Sequence, residues 1–258
     1  MMTTIQQILD FFESFAPLAT AMDFDNCGLL VGDKDTPVSK VLVTLDITAE
    51  VVEEAKEKGC GLIISHHPVI FQPLRRMNSR SVPYLLAQAG IAAVCMHTNL
   101  DLSEKFGVNI CLGQAAGLKE VHRAPEGECL FAGTLEDTIS VRELAQRVMQ
   151  NLACSGLRYT EGRGTVRTVA VASGAGGSDI FAVAAIGADA LITGEIKHHE
   201  INAANEYGIA VIDAGHFKSE DIVINPLIAR LKEEFPSAEF TKCQTYSDKM
   251  KYLSSLSN

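Results

Sequence analysis

Three short stretches carry residues suited to holding a metal ion or moving a proton. In "SHHP", His66 and His67 stand side by side at the end of an apolar run, and Pro68 follows. Proline forces the residue before it out of helical geometry, so the pair sits in an extended turn with its imidazoles diverging. Such rings either serve one metal each or form a solvated, hydrogen-bonded pair. In "MHTNLD", His97 offers a nitrogen donor, and Asp101 is either a carboxylate ligand or the cap of a helix starting near Ser103. In "GHFKSE", His216 and Glu220 are spaced i and i+4. On a helix they share one face, as a joint metal site or as a stabilising polar pair. Taken together, imidazole nitrogens and carboxylate oxygens suit zinc, iron or manganese, and a carboxylate can bridge two ions. Two ions ~3.5–4 Å apart hold an activated water and stabilise both attacking and leaving oxygens. Positions left open for water and substrate make such a site catalytic rather than structural.

Residues so distant along the chain need a scaffold that gathers them. Strand-like apolar runs (40–46, 61–65, 91–97) alternate with helix-like ones (48–59, 81–90, 106–117). That alternation predicts an α/β fold of βαβ units, with a mostly parallel sheet covered by helices. The second half repeats the first: an offset of 128 aligns Leu45 with Ser173, Gly59 with Gly187, Ile64 with Ile192 and Ser65 with Thr193. After a shift in offset, "AGIAAVCMHTNLD" resembles "YGIAVIDAGHFKSE". The expected organisation is a first α/β lobe over residues 1–117, a linking segment over 118–165 and a second lobe over 166–258. The C-terminal segment is expected to pack back on the first lobe. Ligands in open α/β sheets bind beyond the carboxyl ends of strands. Asp46 and stretches 65–67, 97–101, 173–177, 193–195 and 213–220 fall at those ends, and most of the histidines lie in or beside them.

The net charge of −10, from 22 Lys+Arg against 32 Asp+Glu, argues against a cationic grip on nucleic acid. A small anionic substrate stays compatible, because a metal supplies positive charge locally. The seven cysteines form no C-x-x-C pair and sit mostly in apolar runs, as buried thiols of a reducing compartment do. The first fifteen residues lack a basic leader; Ile5, Ile8, Leu9, Phe12 and Phe15 recur at helical spacing instead. No apolar run reaches membrane-spanning length. A cytoplasmic protein with no membrane partner is the expectation.

The motifs "ISHHP", "HTNLD" and "GHFKSE", with "DNCGLLVG" (25–32) and "TGEIKHH" (193–199), resemble a dinuclear-metal family. Its members are known as GTP cyclohydrolase 1 type 2 homologues, or NGG-one-interacting-factor-three-like proteins. The resemblance spans about residues 5–253 and corresponds to the short bacterial form. It implies metal ligands at His66, His67, Asp101, His216 and Glu220, holding two divalent ions per subunit (Zn, Fe or Mn). It further implies two similar, intertwined α/β lobes and a toroidal homohexamer with the metal sites facing an inner cavity.

Secondary features surround these motifs. Gly174, Gly176 and Gly177 of "SGAGGSD" follow a strand and open a helix, where backbone N–H groups cradle a phosphate or simply make a tight turn. Glu195, His198 and His199 have spacings of three and four, which places them on one helical face lining a cavity or backing the metal ligands. Asp25 and Asn26 of "DNCGLLVG" either touch the site or make a turn. His122, next to Arg123, lies outside the site.

The first functional reading is a metal-dependent hydrolase acting on a nucleotide or other phosphorylated small molecule, with His97 relaying protons. The family name suggests ring opening of GTP. The cysteine-bearing zinc site of the unrelated type 1 cyclohydrolases has no counterpart motif here. A dinuclear phosphoesterase would share the site and differ in substrate. The second reading is a non-enzymatic, metal-loaded ring that binds partners or handles metal ions.

Overall fold

Short runs of Val, Leu, Ile and Ala, buried on both faces, make the central strands of this chain, as parallel sheets require. The computed structural model describes residues 2–253, which divide into two units. The first unit contains the chain up to Gly107 together with Val223–Tyr246, and the second contains Val108–Ile222 with the segment from Ser247.

The first unit opens with β1 (Thr3–Thr4) and α1 (Ile5–Glu13), a helix started by a capping box between Thr4 and Gln7. Its predicted apolar stripe is realised: Ile5, Ile8 and Phe12 are fully or almost fully buried. β3 (Pro37–Val38) pairs with β1 in a small antiparallel sheet, while β2 (Gly28–Val31), β4 (Lys40–Thr44), β5 (Leu62–Ser65) and β6 (Ala92–Cys95) belong to the main one. Between them run α2 (Ala49–Lys58) and α3 (Val82–Ala89), each stopped by a glycine at positive φ, Gly59 (68°) and Gly90 (65°). Only a residue without Cβ takes that left-handed cap cheaply. Strands β4, β5 and β6 are parallel, with Thr44 level with Ser65 and Ser65 level with Cys95, while β2 lies antiparallel to β6. Because the three strands end in register, the residues that follow them emerge along one edge. A short helix, α4 (Thr98–Asp101), closes this segment.

The second unit repeats the plan. It contains α5 (Val108–Ala115), β7 (Lys119–Arg123), β8 (Phe131–Ser140), α6 (Val141–Asn151), β9 (Arg158–Tyr159), β10 (Thr165–Ala172) and α7 (Ile180–Ala185). After these come β11 (Ala190–Thr193), α8 (His198–Tyr207), β12 (Ala210–Asp213) and α9 (His216–Asp221). The strand order is β7-β8-β10-β11-β12-β9; β10, β11 and β12 are parallel and the outer pairings antiparallel. The duplication is explicit: β11 starts 128 residues after β5 (190 against 62), and β12 starts 118 after β6 (210 against 92). Residues 118–165, read from sequence as the stretch between lobes, supply β7, β8, α6 and β9 to the second unit.

The chain then returns to the first unit as α10 (Ile224–Glu234) and β13 (Glu239–Lys242), the latter pairing in parallel with β4. Glu54 of α2 fastens the segment beyond it. Its buried carboxylate accepts from the backbone N–H groups of Gln244 and Thr245 and from the Thr245 hydroxyl. Burial of Glu54 works to raise its pKa, but hydrogen bonds from Lys58, Cys243 and Thr245 hold it well below the usual carboxylate range.

Candidate metal centre

The edge where β4, β5 and β6 finish carries three imidazoles. His66 and His67 follow Ser65, His97 follows Cys95 by two residues, and each ring has an oxygen acceptor at Nδ1. Nδ1 of His66 donates to the Met96 carbonyl at 2.8 Å. Nδ1 of His67 lies 3.0 Å from the Asp46 carboxylate, and Nδ1 of His97 lies 2.9 Å from that of Asp25. A carbonyl can only accept, so the His66 proton is on Nδ1 and its lone pair on Nε2. Carboxylates impose the same tautomer on the other two rings. The ring centroids stand 5.1–5.4 Å apart, and the three histidines offer ligand nitrogens within 4.8 Å of one another.

Asp101 belongs to the same group. Its Oδ1 lies 3.6 Å from Nε2 of His66, and the residue is buried. It ends α4 and caps no helix near Ser103, because the next helix starts at Val108. Asp25 accepts from His97, from the Thr98 N–H and hydroxyl and from the Cys27 thiol. Burial works to raise the Asp25 pKa; the bonds from His97, Thr98 and Cys27 outweigh it and hold the carboxyl well below its usual range. Neighbouring Asn26 donates to the Ile70 carbonyl at 2.6 Å, in the loop after His67.

In the second unit, α9 starts at His216 and places Glu220 one turn later, as the spacing predicts. His216 Nε2 lies 3.1 Å from Glu220 Oε2, and its Nδ1 lies 2.7 Å from Glu195. The Glu220 hydrogen bond raises the His216 pKa most; burial opposes it, Glu195 adds, and the result is about 9. Gly174 makes room for this pair. Its φ is +59°, and a Cβ there would run into the Glu220 carboxylate and come within 3.3 Å of the His216 ring. Glu195 precedes α8 instead of lying on it, so it shares no helical face with His198 and His199. The helix begins at His198 because Lys197 is its N-cap. His198 faces Asn202 at 3.4 Å, and the His199 side chain is 77% exposed.

The glycine loop is a tight turn. Gly174 N–H donates to the Ser219 hydroxyl, Gly176 N–H to the Thr193 hydroxyl and Gly177 N–H to the Glu195 carbonyl. The N–H groups of all three glycines are thus engaged by protein oxygens. His122, exposed, lies against the Glu120 carbonyl, away from these groups.

The donor chemistry fits divalent transition metals. Imidazoles oriented through Nδ1 by carbonyl or carboxylate partners are the usual way proteins present Nε2 to a metal. Within each unit, buried carboxylates, Asp101 and Glu220, complete an N/O set suited to zinc, iron or manganese. Sequence reasoning undervalued Asp25 and Asp46. Their signal was position alone, a loop and a strand end with no periodicity.

No helix among the described residues is long and apolar enough to cross a membrane. The GTP cyclohydrolase 1 type 2 homolog of Clostridium acetobutylicum is 33% identical over 237 residues, 85% of this chain and 86% of that protein. Its Clostridium perfringens counterpart is 31% identical over 265 residues, covering 96% and 99%. A Bacillus cereus protein related to NIF3 superposes with a TM-score of 0.88 at 22% identity, covering 98% of this chain and 100% of that one; at that identity it speaks to the fold alone. The family model for Duf34/NIF3 (NGG1p interacting factor 3) matches residues 3–249, and the chain belongs to that family.

Proposed function

We propose that the chain is a metal-dependent hydrolase acting on a nucleotide or another phosphorylated small molecule. In this reading His66, His67 and Asp101, with His216 and Glu220, hold two divalent ions. The supporting observation is the Nδ1 bonding of His66 and His67 to Met96 and Asp46, the orientation in which proteins usually present the opposite ring nitrogen to a metal. The name of the relatives, GTP cyclohydrolase 1 type 2 homolog, makes hydrolytic opening of a purine ring the first substrate chemistry to examine.

Ions bound there would lower the pKa of water towards ~7 and offset charge developing on substrate oxygens. His97 accepts a proton at Nε2 while Asp25 holds its Nδ1–H, stabilises the imidazolium and itself stays ionised. Thr98 fixes Asp25 from the other side, so the ring cannot swing away during transfer. The chain works in the cytoplasm, in keeping with seven free thiols, and assembles as the ring of six that the family resemblance implies.

Metal analysis of purified protein, followed by a nucleotide screen, tests this. The expected result is two ions per chain and turnover that a chelator abolishes. Asp101→Ala and Glu220→Ala should lose metal and turnover together. His97→Ala should keep metal and lose about 10²–10⁴-fold in rate. Full metal occupancy with no turnover on any nucleotide or phosphoester would overturn the hydrolase in favour of the metal-handling scaffold.

A further inference from the structure

The second unit holds a cavity of about 700 Å³, within the size range of small-molecule sites, with His216 in its lining. Its apolar lining comes from Leu157, Ile196, Met250 and Tyr252. Tyr252 is well placed to be a platform. Its ring packs against the backbone at Gly156, where an added Cβ would meet Cδ1 at 2.9 Å. Its hydroxyl reaches to 3.6 Å from a Cβ built on Gly215, the residue before His216. The residue is still 47% exposed and lines the cavity, so it rests on protein without being covered by it.

The charges in the lining sort themselves. Each acid is engaged by protein: Glu195 with His216, Glu200 with the Lys197 N–H at 2.7 Å, and Asp213 with Arg158 and the Gly215 N–H. The Lys197 ammonium makes only a 3.8 Å approach to Glu200, and Lys251 adds a second cation from the same segment as Tyr252. The lining thus brings an aromatic ring and two ammonium groups to one cavity.

We infer that this cavity binds a planar aromatic ring carrying an anionic group, with Tyr252 stacking on the ring and Lys197 and Lys251 receiving the anion. Only the placement of the reacting end near His216 rests on the hydrolase reading; the binding does not. Stacking on an aromatic side chain discriminates rings from other groups at modest energetic cost, and ammonium groups recognise phosphate as point charges.

Titration calorimetry on the purified full-length protein, with guanosine 5′-monophosphate, guanosine and inorganic phosphate as probes, tests the assignment. The nucleotide should bind at least tenfold more tightly than either part alone. Tyr252→Ala should weaken nucleotide and nucleoside about tenfold and leave phosphate unchanged, whereas Tyr252→Phe should bind as the parent does. Gly156→Val, which pushes the ring off its seat, should reproduce the alanine result with the tyrosine still present. Lys197→Gln combined with Lys251→Gln should weaken nucleotide and phosphate but not nucleoside. Absence of nucleotide binding at millimolar concentration, or unchanged binding in Tyr252→Ala, overturns the inference. Binding that follows this pattern without turnover would sink the hydrolase reading alone; turnover with an unaltered KM in Tyr252→Ala would sink this one alone.

Discussion

Oδ1 of Asp25 sits 2.9 Å from Nδ1 of His97, although 72 residues separate them in sequence. The carboxylate comes from the loop before β2, the imidazole from the exit of β6, and the antiparallel pairing of those two strands brings them together. Asp25→Asn keeps the shape but removes the charge that orders the ring. Under the proposed chemistry, turnover at neutral pH should fall by at least tenfold with metal content preserved, as measured by steady-state kinetics and metal analysis. Unchanged turnover would show that His97 needs no such support.

The His216 clamp predicts a pH dependence. Its pKa in the folded, metal-free protein is about 9 against an ordinary 6.5, because the protonated ring binds Glu220 and Glu195. A raised value means stabilisation that is complete below ~6.5 and lost as pH climbs through about 9. In chelator, Tm should therefore decline across that window more steeply for the parent than for His216→Gln. The ring is partly exposed, so the difference will be small, and calorimetric scans at matched ionic strength are the suitable measurement.

Glu54 predicts the opposite sign. Its pKa lies below the ordinary 4.5, so its contribution is present above that pH and disappears as pH falls further. Glu54→Gln removes a buried charge acceptor from Gln244 and Thr245 and should cost roughly 1.5–3 kcal/mol at neutral pH. Urea unfolding at pH 7 and at pH 3 should show the gap between parent and variant shrinking at the lower pH.

Gly174→Ala tests the room made for the His216–Glu220 pair. The substitution meets the Glu220 carboxylate directly and adds a left-handed backbone penalty of roughly 1–2 kcal/mol. Lower Tm together with reduced metal affinity is the expected outcome. Loss of stability with full affinity would mean that Glu220 does not need its observed position to serve a metal.

Much of this architecture is legible in the sequence because apolar runs and their glycine stops are local signals. The run 61–65 and its copy near 190 fall on β5 and β11, and the spacing alone places the histidines just beyond β5 at a sheet edge. Asp25 could not be ranked above Asn26: both sit in an irregular loop, and only strand pairing decides which one reaches His97. Glu195 was assigned to a helical face because spacing alone does not show where a helix starts. That the N–H groups of Gly174 and Gly176 bond the Ser219 and Thr193 hydroxyls is a tertiary relationship that the glycine spacing does not reveal.

The first unit leaves its sheet unfinished at Gly107 and receives β13 only after Val108–Ile222 of the second unit has been threaded. A ribosome-bound chain therefore exposes the bare flank of β4 until residue 242 has been synthesised. No single cut separates the molecule into halves that each keep all their strands. Truncation before Glu239 should yield aggregates rather than a working fragment, because an uncovered β4 is an open template for pairing with other chains.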